Sequence, residues 1–183
     1  MHLNIEFKAR CENYDIINNV LGERDAEFRG EDHQIDTYFN VPIGRLKLRE
    51  GNIENCLIHY ERENQEGPKS SFVTLFRTEP NSVLKELLIK SLGILAVVDK
   101  KRKIYFADNV KIHLDTVQDL GSFVEVEAID KTGKIGKERL QQQCNEYLRA
   151  FNICSKDLLS CSYSDMILAR KFKDVLLNEQ QAP

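Results

Sequence analysis

The stretch VKIHLDTVQDLGSFVEVEAI, residues 110–129, decides the fold, because apolar residues recur at every second position and charged residues fill the gaps. In its first half Val110, Ile112 and Leu114 oppose Lys111, His113 and Asp115; in its second half Val124, Val126 and Ala128 oppose Glu125 and Glu127. Strand side chains alternate between faces, so each half reads as a strand with one apolar and one charged face. Gly121 lies in the connection 116–122, and the pattern predicts an antiparallel hairpin. That hairpin gathers Asp115, Glu125 and Glu127. If the charged face turns into a low dielectric, carboxylates at i and i+2 repel unless a cation or positive side chains lie between them, a setting that suits a hard divalent ion. A solvated face needs no such partner. The choice rests on what the rest of the chain supplies.

The same alternation recurs outward in both directions. Leu3, Ile5, Phe7 and Ala9 alternate with Asn4, Glu6, Lys8 and Arg10; Ile35, Thr37 and Phe39 alternate with Gln34, Asp36, Tyr38 and Asn40. In RLKLRE, residues 45–50, Arg45, Lys47 and Arg49 share a face with Leu46 and Leu48 behind them. Residues 56–62, 70–76 and 96–107 are further strand candidates, the last carrying the basic run DKKRKIYF. Four basic residues in a row are ordinarily a wet turn or edge. Helical spacing appears at 13–21, closed by Gly22; at 81–92, with a capping residue at its start and Gly93 at its end; at 136–151; and at 162–177. Residues 23–33 read as a charged loop, and 178–183 as a frayed tail beyond a single domain at 1–177. Roughly eight strand-like segments joined by short connections, with helices at the outside, predict a mainly β, α+β fold: a closed antiparallel barrel.

A chain of 183 residues with 42% hydrophobic and 30% charged content supports one domain with a real core. A net charge of −3 supplies no global attraction to nucleic acid or a membrane surface, so any basic site is local. The absence of a signal-like start and of a long apolar run predicts an intracellular, cytoplasmic protein. Five cysteines without a CxxC pair argue against a disulfide framework and a zinc site, and four histidines without a ligand-like spacing argue against histidine-centred metal chemistry.

The charged faces carry both signs: Glu6, Lys8 and Arg10; Arg45, Lys47 and Arg49; Lys100 and Arg102; Asp115, Glu125 and Glu127. Turned inward, they give a barrel lumen with a basic wall for phosphates, where arginine binds in bidentate fashion, and an acidic wall for magnesium.

Seven blocks then combine: NIEFKAR at 4–10, QIDTYF at 34–39, GRLKLRE at 44–50, LIHYER at 57–62, KKRKIYF at 100–106, HLDTVQDLGSFVEVE at 113–127 and SYSDMI at 162–167. In order and spacing this resembles the CYTH superfamily, the triphosphate tunnel metalloenzymes that include class IV adenylyl cyclases and thiamine triphosphatases. The resemblance implies a closed eight-stranded antiparallel tunnel barrel that binds a triphosphate-containing small molecule with Mg2+ or Mn2+. Carried over by position, it implies Glu6, Glu125 and Glu127 as metal ligands, with Asp115 a ligand or a water-mediated partner. It implies phosphate contacts from Lys8, Lys47, Arg49, Lys100 and Arg102, Lys8 and Asp115 as the catalytic positions, and Arg10 and Arg45 at the tunnel ends. Tyr38 is a candidate for the substrate end, and Lys111 and His113 share the charged face. The expected activity is hydrolysis of a phosphoanhydride in inorganic, nucleoside or thiamine triphosphate. Conversion of ATP to cyclic AMP is the alternative, and non-catalytic triphosphate binding a further one; a homodimer is left open. Two departures matter. Asn4 stands where the family's ExExK signature begins with glutamate, and His59 stands where thiamine triphosphatases have a lysine.

Overall fold

The computed structural model describes residues 2–179, and its eight strands close into one barrel. In chain order the elements are β1 (His2–Arg10), α1 (Asp15–Glu23), β2 (Glu27–Phe39), β3 (Arg45–Gly51), β4 (Cys56–Arg62), β5 (Lys69–Arg77), α2 (Leu84–Leu92), β6 (Ile94–Ala107), β7 (Val110–Val117), β8 (Gly121–Asp130), α3 (Lys137–Ala150), a 3-10 turn (Ser155–Asp157) and α4 (Tyr163–Glu179). Around the barrel the order is β1-β5-β4-β3-β2-β6-β7-β8, closing on β1, with every neighbouring pair antiparallel. Closure leaves no free edge, which lets a chain with this much strand stay unpaired with other chains.

The predicted hairpin is β7–β8, with His113 opposite Glu125 and Lys111 opposite Glu127; its turn is tighter than the sequence suggested, since pairing continues to Val117 and Gly121. Several boundaries differ from the sequence reading. Residues 27–33, read as loop, are the first half of β2, whose pairing with β6 imposes strand geometry on a segment without alternation. Gly22 lies inside α1 rather than ending it. The start of α2 shifts to Leu84, with Val83 before it and no side-chain cap, while Gly93, at φ +69°, does end it. Asn178 and Glu179 continue α4, and residues 180–183 lie outside the described residues.

The largest apolar cluster sits outside the barrel wall, while a second, with Tyr38, Ile58, Tyr60 and Tyr163, borders the lumen. Ile5, Phe7, Ala9, Ile112, Leu114, Val124 and Val126 pack against Ile17 and Leu21 of α1 and Leu140, Cys144, Tyr147 and Phe151 of α3. A smaller cluster seats Leu88 of α2 on Phe39 and Leu48. Asp130 fixes the path from β8 into α3: its carboxylate accepts hydrogen bonds from the amides of Thr132, Gly133, Lys134, Ile135 and Gly136. Where the apolar side of a strand is buried under helices, as on β1, β7 and β8, the alternate side faces the lumen. Gly44 makes the turn into β3 possible; at φ +67°, a Cβ there would sit 2.8 Å from the Tyr60 carbonyl oxygen.

Candidate functional site

The lumen is a cavity of about 1010 Å3 walled by charged side chains from every strand. One end is crossed by residues 158–163: the Leu159 amide donates to the Lys8 carbonyl, and Tyr163, buried at the start of α4, reaches in so that its hydroxyl donates to Asp115 Oδ2 at 2.8 Å. Arg29, Ile53, Phe106 and Lys131 lie around the cavity at the other end.

On one wall three cations converge on Asp36, which has no exposed surface. Lys47 Nζ donates to it at 3.0 Å, Arg49 grips it through Nε at 2.8 Å and Nη2 at 2.9 Å, and Lys100 Nζ donates at 2.6 Å. Burial would raise the Asp36 carboxyl, but Arg49, Lys100 and Lys47 outweigh it and hold the group well below the usual carboxylate range. Burial likewise pushes the Lys100 ammonium well down, against the pull of Asp36. Three cations on one carboxylate leave this wall with surplus positive charge, and that surplus is what an anionic ligand would meet.

The opposite wall is acidic and equally engaged. Arg102 forks onto Asp115 through Nε at 2.6 Å and Nη2 at 2.5 Å, and Nη2 also reaches Glu125 Oε2 at 2.8 Å. Lys8 Nζ donates to Glu125 Oε1 at 2.6 Å and lies 3.8 Å over the Tyr163 ring. Glu6 accepts from Arg62, and Glu127 stands opposite Glu6 in the β1–β8 pairing. Burial, reinforced by Glu125, pushes the Glu127 carboxyl up to about 7. Burial drives the His113 imidazole down to about 3, so the ring is neutral at physiological pH. His113 Nδ1 lies 3.2 Å from Glu125 Oε2 and 3.7 Å from Glu127 Oε1. These residues fit a divalent ion: one donor atom from each of His113, Glu125 and Glu127 falls within 4.8 Å of the others, and the neighbouring Asn4 Oδ1 is buried without a hydrogen-bond partner.

Of the residues singled out in the sequence, Glu6, Lys8, Lys47, Arg49, Lys100, Arg102, Glu125 and Glu127 line the cavity, as do Asn4, Tyr38 and Lys111. Asp115 is on the same face, fully enclosed by Arg102 and Tyr163 and joined to Glu125 through the shared Arg102 Nη2. Arg10 and Arg45 do not join them. Arg10 is exposed beside the Leu120 carbonyl, and Arg45 pairs with Asp165 at 3.0 Å. His59 alternates with the cavity-lining Ile58 and Tyr60, which puts it on the outer face beside the Ile43 carbonyl. The run at residues 100–103 is not a wet turn: Lys100 and Arg102 are buried inward, while Lys101 and Lys103 point out.

The sequence reading missed Asp36, Arg62, Glu54 and Tyr163. Asp36 and Arg62 were visible as the polar members of alternating strands, Asp36 between Gln34 and Tyr38 and Arg62 two after Tyr60. Glu54 lies in the 52–55 connection, without periodicity, yet its carboxylate accepts from Arg49 Nη1 at 2.9 Å and Lys111 Nζ at 2.5 Å. Asp32 pins that connection by accepting from the Ile53 and Glu54 amides at 2.8 and 3.0 Å.

A sequence model of the CYTH domain matches residues 2–163. A protein of Methanocaldococcus jannaschii, named as a candidate adenylate cyclase, is 24% identical over 180 residues, covering 90% of this chain and 98% of its own. Among solved structures, a Pyrococcus horikoshii protein superposes with a TM-score of 0.71 at 23% identity, over 90% of this chain and 98% of that one. A Hippeastrum protein, described as a candidate adenylyl cyclase with a dominant triphosphatase activity, superposes with a TM-score of 0.58 at 12% identity, over 93% and 96%.

Proposed function

The chain belongs to the CYTH domain family, and we propose that within it this protein is a metal-dependent phosphohydrolase acting on a triphosphate held in the barrel lumen. The observation that carries the reading is the convergence of Lys47, Arg49 and Lys100 on one buried carboxylate, in the same cavity as Glu125 and Glu127. A polyphosphate is a linear array of anionic oxygens, and a tube with cations on one wall and carboxylates on the other fits it together with a counter-ion.

In this reading Lys47, Arg49 and Lys100 exchange part of their contact with Asp36 for phosphate oxygens. Lys8 and Arg102, held against Glu125 and Asp115, place positive charge where negative charge develops in the transition state. Asp115 acts by orienting Arg102, and Tyr163 closes the lumen behind the phosphates. Water attacks the terminal phosphorus as the bridging P–O bond breaks, a reaction in which positioning and charge stabilisation do most of what the protein must supply. Glu125 and Glu127, with Glu6 across the strand pair, would hold Mg2+ or Mn2+, which when bound neutralises charge on the transferred phosphoryl group.

The kinship with the M. jannaschii protein supports a second reading, attack of the ribose 3′-hydroxyl of ATP on its α-phosphorus to give cyclic AMP and pyrophosphate. Incubating the purified chain with Mg2+ or Mn2+ and, separately, tripolyphosphate, thiamine triphosphate and ATP distinguishes the two. Orthophosphate release supports the hydrolase, and cyclic AMP with pyrophosphate supports the cyclase. Tight binding without turnover would leave a non-catalytic triphosphate-binding module. The double variant Glu125→Gln, Glu127→Gln is expected to abolish turnover; retained activity would sink the metal assignment.

A further inference from the structure

We propose that His113 supplies a nitrogen ligand to a divalent ion shared with Glu125 and Glu127, and that the lumen in consequence selects a transition metal such as Mn2+ over Mg2+. This rests on the metal-dependent reading above and specifies the ligand set and the class of ion.

Three independent observations carry it. First, β7–β8 pairing sets His113 directly opposite Glu125, so imidazole and carboxylate are cross-strand neighbours on the lumen face rather than a chance approach of long side chains. Nδ1 stands 3.2 Å from Glu125 Oε2 and 3.7 Å from Glu127 Oε1. Neighbouring ligands of an ion bound at about 2.1 Å stand about 3.0 Å apart in an octahedral shell and about 3.4 Å apart in a tetrahedral one. The observed spacings need only small side-chain adjustment to reach either.

Second, a polar atom on the lumen face of the adjoining strand is buried with no hydrogen-bond partner: Asn4 Oδ1. Asn4 is 3% exposed and shares the lumen face of β1 with Glu6, which faces Glu127 across the β1–β8 pairing. A buried amide oxygen with no donor costs about 1–3 kcal/mol unless something else satisfies it. A cation held between β1 and β8 is such a partner.

Third, the charge available differs from that of an all-carboxylate site. Asn4 brings an oxygen without charge, and Glu6 is engaged by Arg62. Glu125 is engaged in the same way by Lys8 and Arg102, so these carboxylates reach the ion by giving up part of those contacts, and the donors beside them are one neutral amide oxygen and one imidazole. Mg2+ favours oxygen ligands and parts reluctantly with its water, whereas imidazole suits the later first-row ions.

The experiment titrates Mn2+ alone, and Mg2+ alone, into the purified full chain, with calorimetry for affinity and pulsed electron paramagnetic resonance for nitrogen coupled to bound Mn2+. The expected results are a directly coordinated nitrogen in the native protein, Mn2+ binding at least tenfold tighter than Mg2+, and loss of both the coupling and the preference in His113→Gln. If that variant does not fold, the nitrogen signal of the native protein still decides whether a nitrogen ligand is present, and Asn4→Glu supplies a second test by narrowing the Mn2+ preference as it restores a carboxylate. Mn2+ bound without nitrogen coupling, yet lost in Glu125→Gln, overturns the histidine ligand while leaving the metal-dependent hydrolase standing. Failure of Mn2+ to bind even with tripolyphosphate present overturns both.

Discussion

Replacing Asp36 by asparagine should both weaken the fold and tighten the grip on polyphosphate. Asp36 is fully buried and accepts from Lys47, Arg49 and Lys100 at 2.6 to 3.0 Å, so the variant leaves three cations facing one another across a neutral amide. Were these pairs on the surface, the loss would be about 0–1 kcal/mol. Buried, the removal of one partner costs about 3–5 kcal/mol, because the desolvated charges remain without compensation. For a chain of this length that lowers the melting temperature by about 6–20 °C. A triphosphate brings back the missing negative charge to the same three side chains. If it recovers about half the lost pairing, roughly 2 kcal/mol, its affinity rises about 30-fold, since each 1.4 kcal/mol is tenfold. Urea unfolding with and without tripolyphosphate, together with calorimetric binding in metal-free buffer, measures both halves. An Asp36→Asn protein within about 1 kcal/mol of native stability, or one that binds tripolyphosphate more weakly, would refute the idea that Asp36 occupies the place of a phosphate.

Acid stability should reveal two opposed titrations. The folded His113 titrates near 3 against an ordinary 6.5, so the unfolded chain takes up a proton first and stability falls as pH drops through 6.5. Glu127 titrates near 7 when folded against an ordinary 4.5, so the folded chain holds the extra proton and stability rises over nearly the same window. Between pH 6.5 and 4.5 the two largely cancel; in metal-free Glu127→Gln the histidine is unmasked, and unfolding free energy should drop by about 1.4 kcal/mol per pH unit, a slope whose absence in urea titrations would contradict the assignment. Leu140→Ala, at the fully buried centre of the α3 contact with the barrel, should cost about 2–5 kcal/mol while leaving tripolyphosphate affinity of the folded protein unchanged, because it empties space on the outer side of the wall.

The strands were legible because strand pairing is a matter of alternation, and alternation is local. The β7–β8 hairpin, the lumen face of β1 and the inward pair Lys100 and Arg102 all follow from period two. Where alternation lapses, as at residues 27–33, the pairing partner alone makes the strand, and β6 lies some seventy positions away. Arg10 and Arg45 share the lumen parity of their strands but fall outside the cavity, since parity fixes a face and not a depth along the barrel.

By itself, then, the sequence determined which residues face together: apolar ones outward under helices, and Glu6, Lys8, Lys47, Arg49, Lys100, Arg102, Glu125 and Glu127 together on the other side. Only the tertiary structure decided which of those charges neutralise one another. Closing the barrel brings Asp36 to Lys100, Arg102 to Asp115, Tyr163 to Asp115 and His113 to the two glutamates. Those pairings depend on strand order, register and the depth at which each side chain enters a low-dielectric lumen, and no local period carries that information. In residues 110–129, accordingly, the three carboxylates that began as one set differ in partner: Asp115 is held by Arg102 and Tyr163, Glu125 by Lys8 and the same Arg102, and Glu127 lies beside Glu125 near His113.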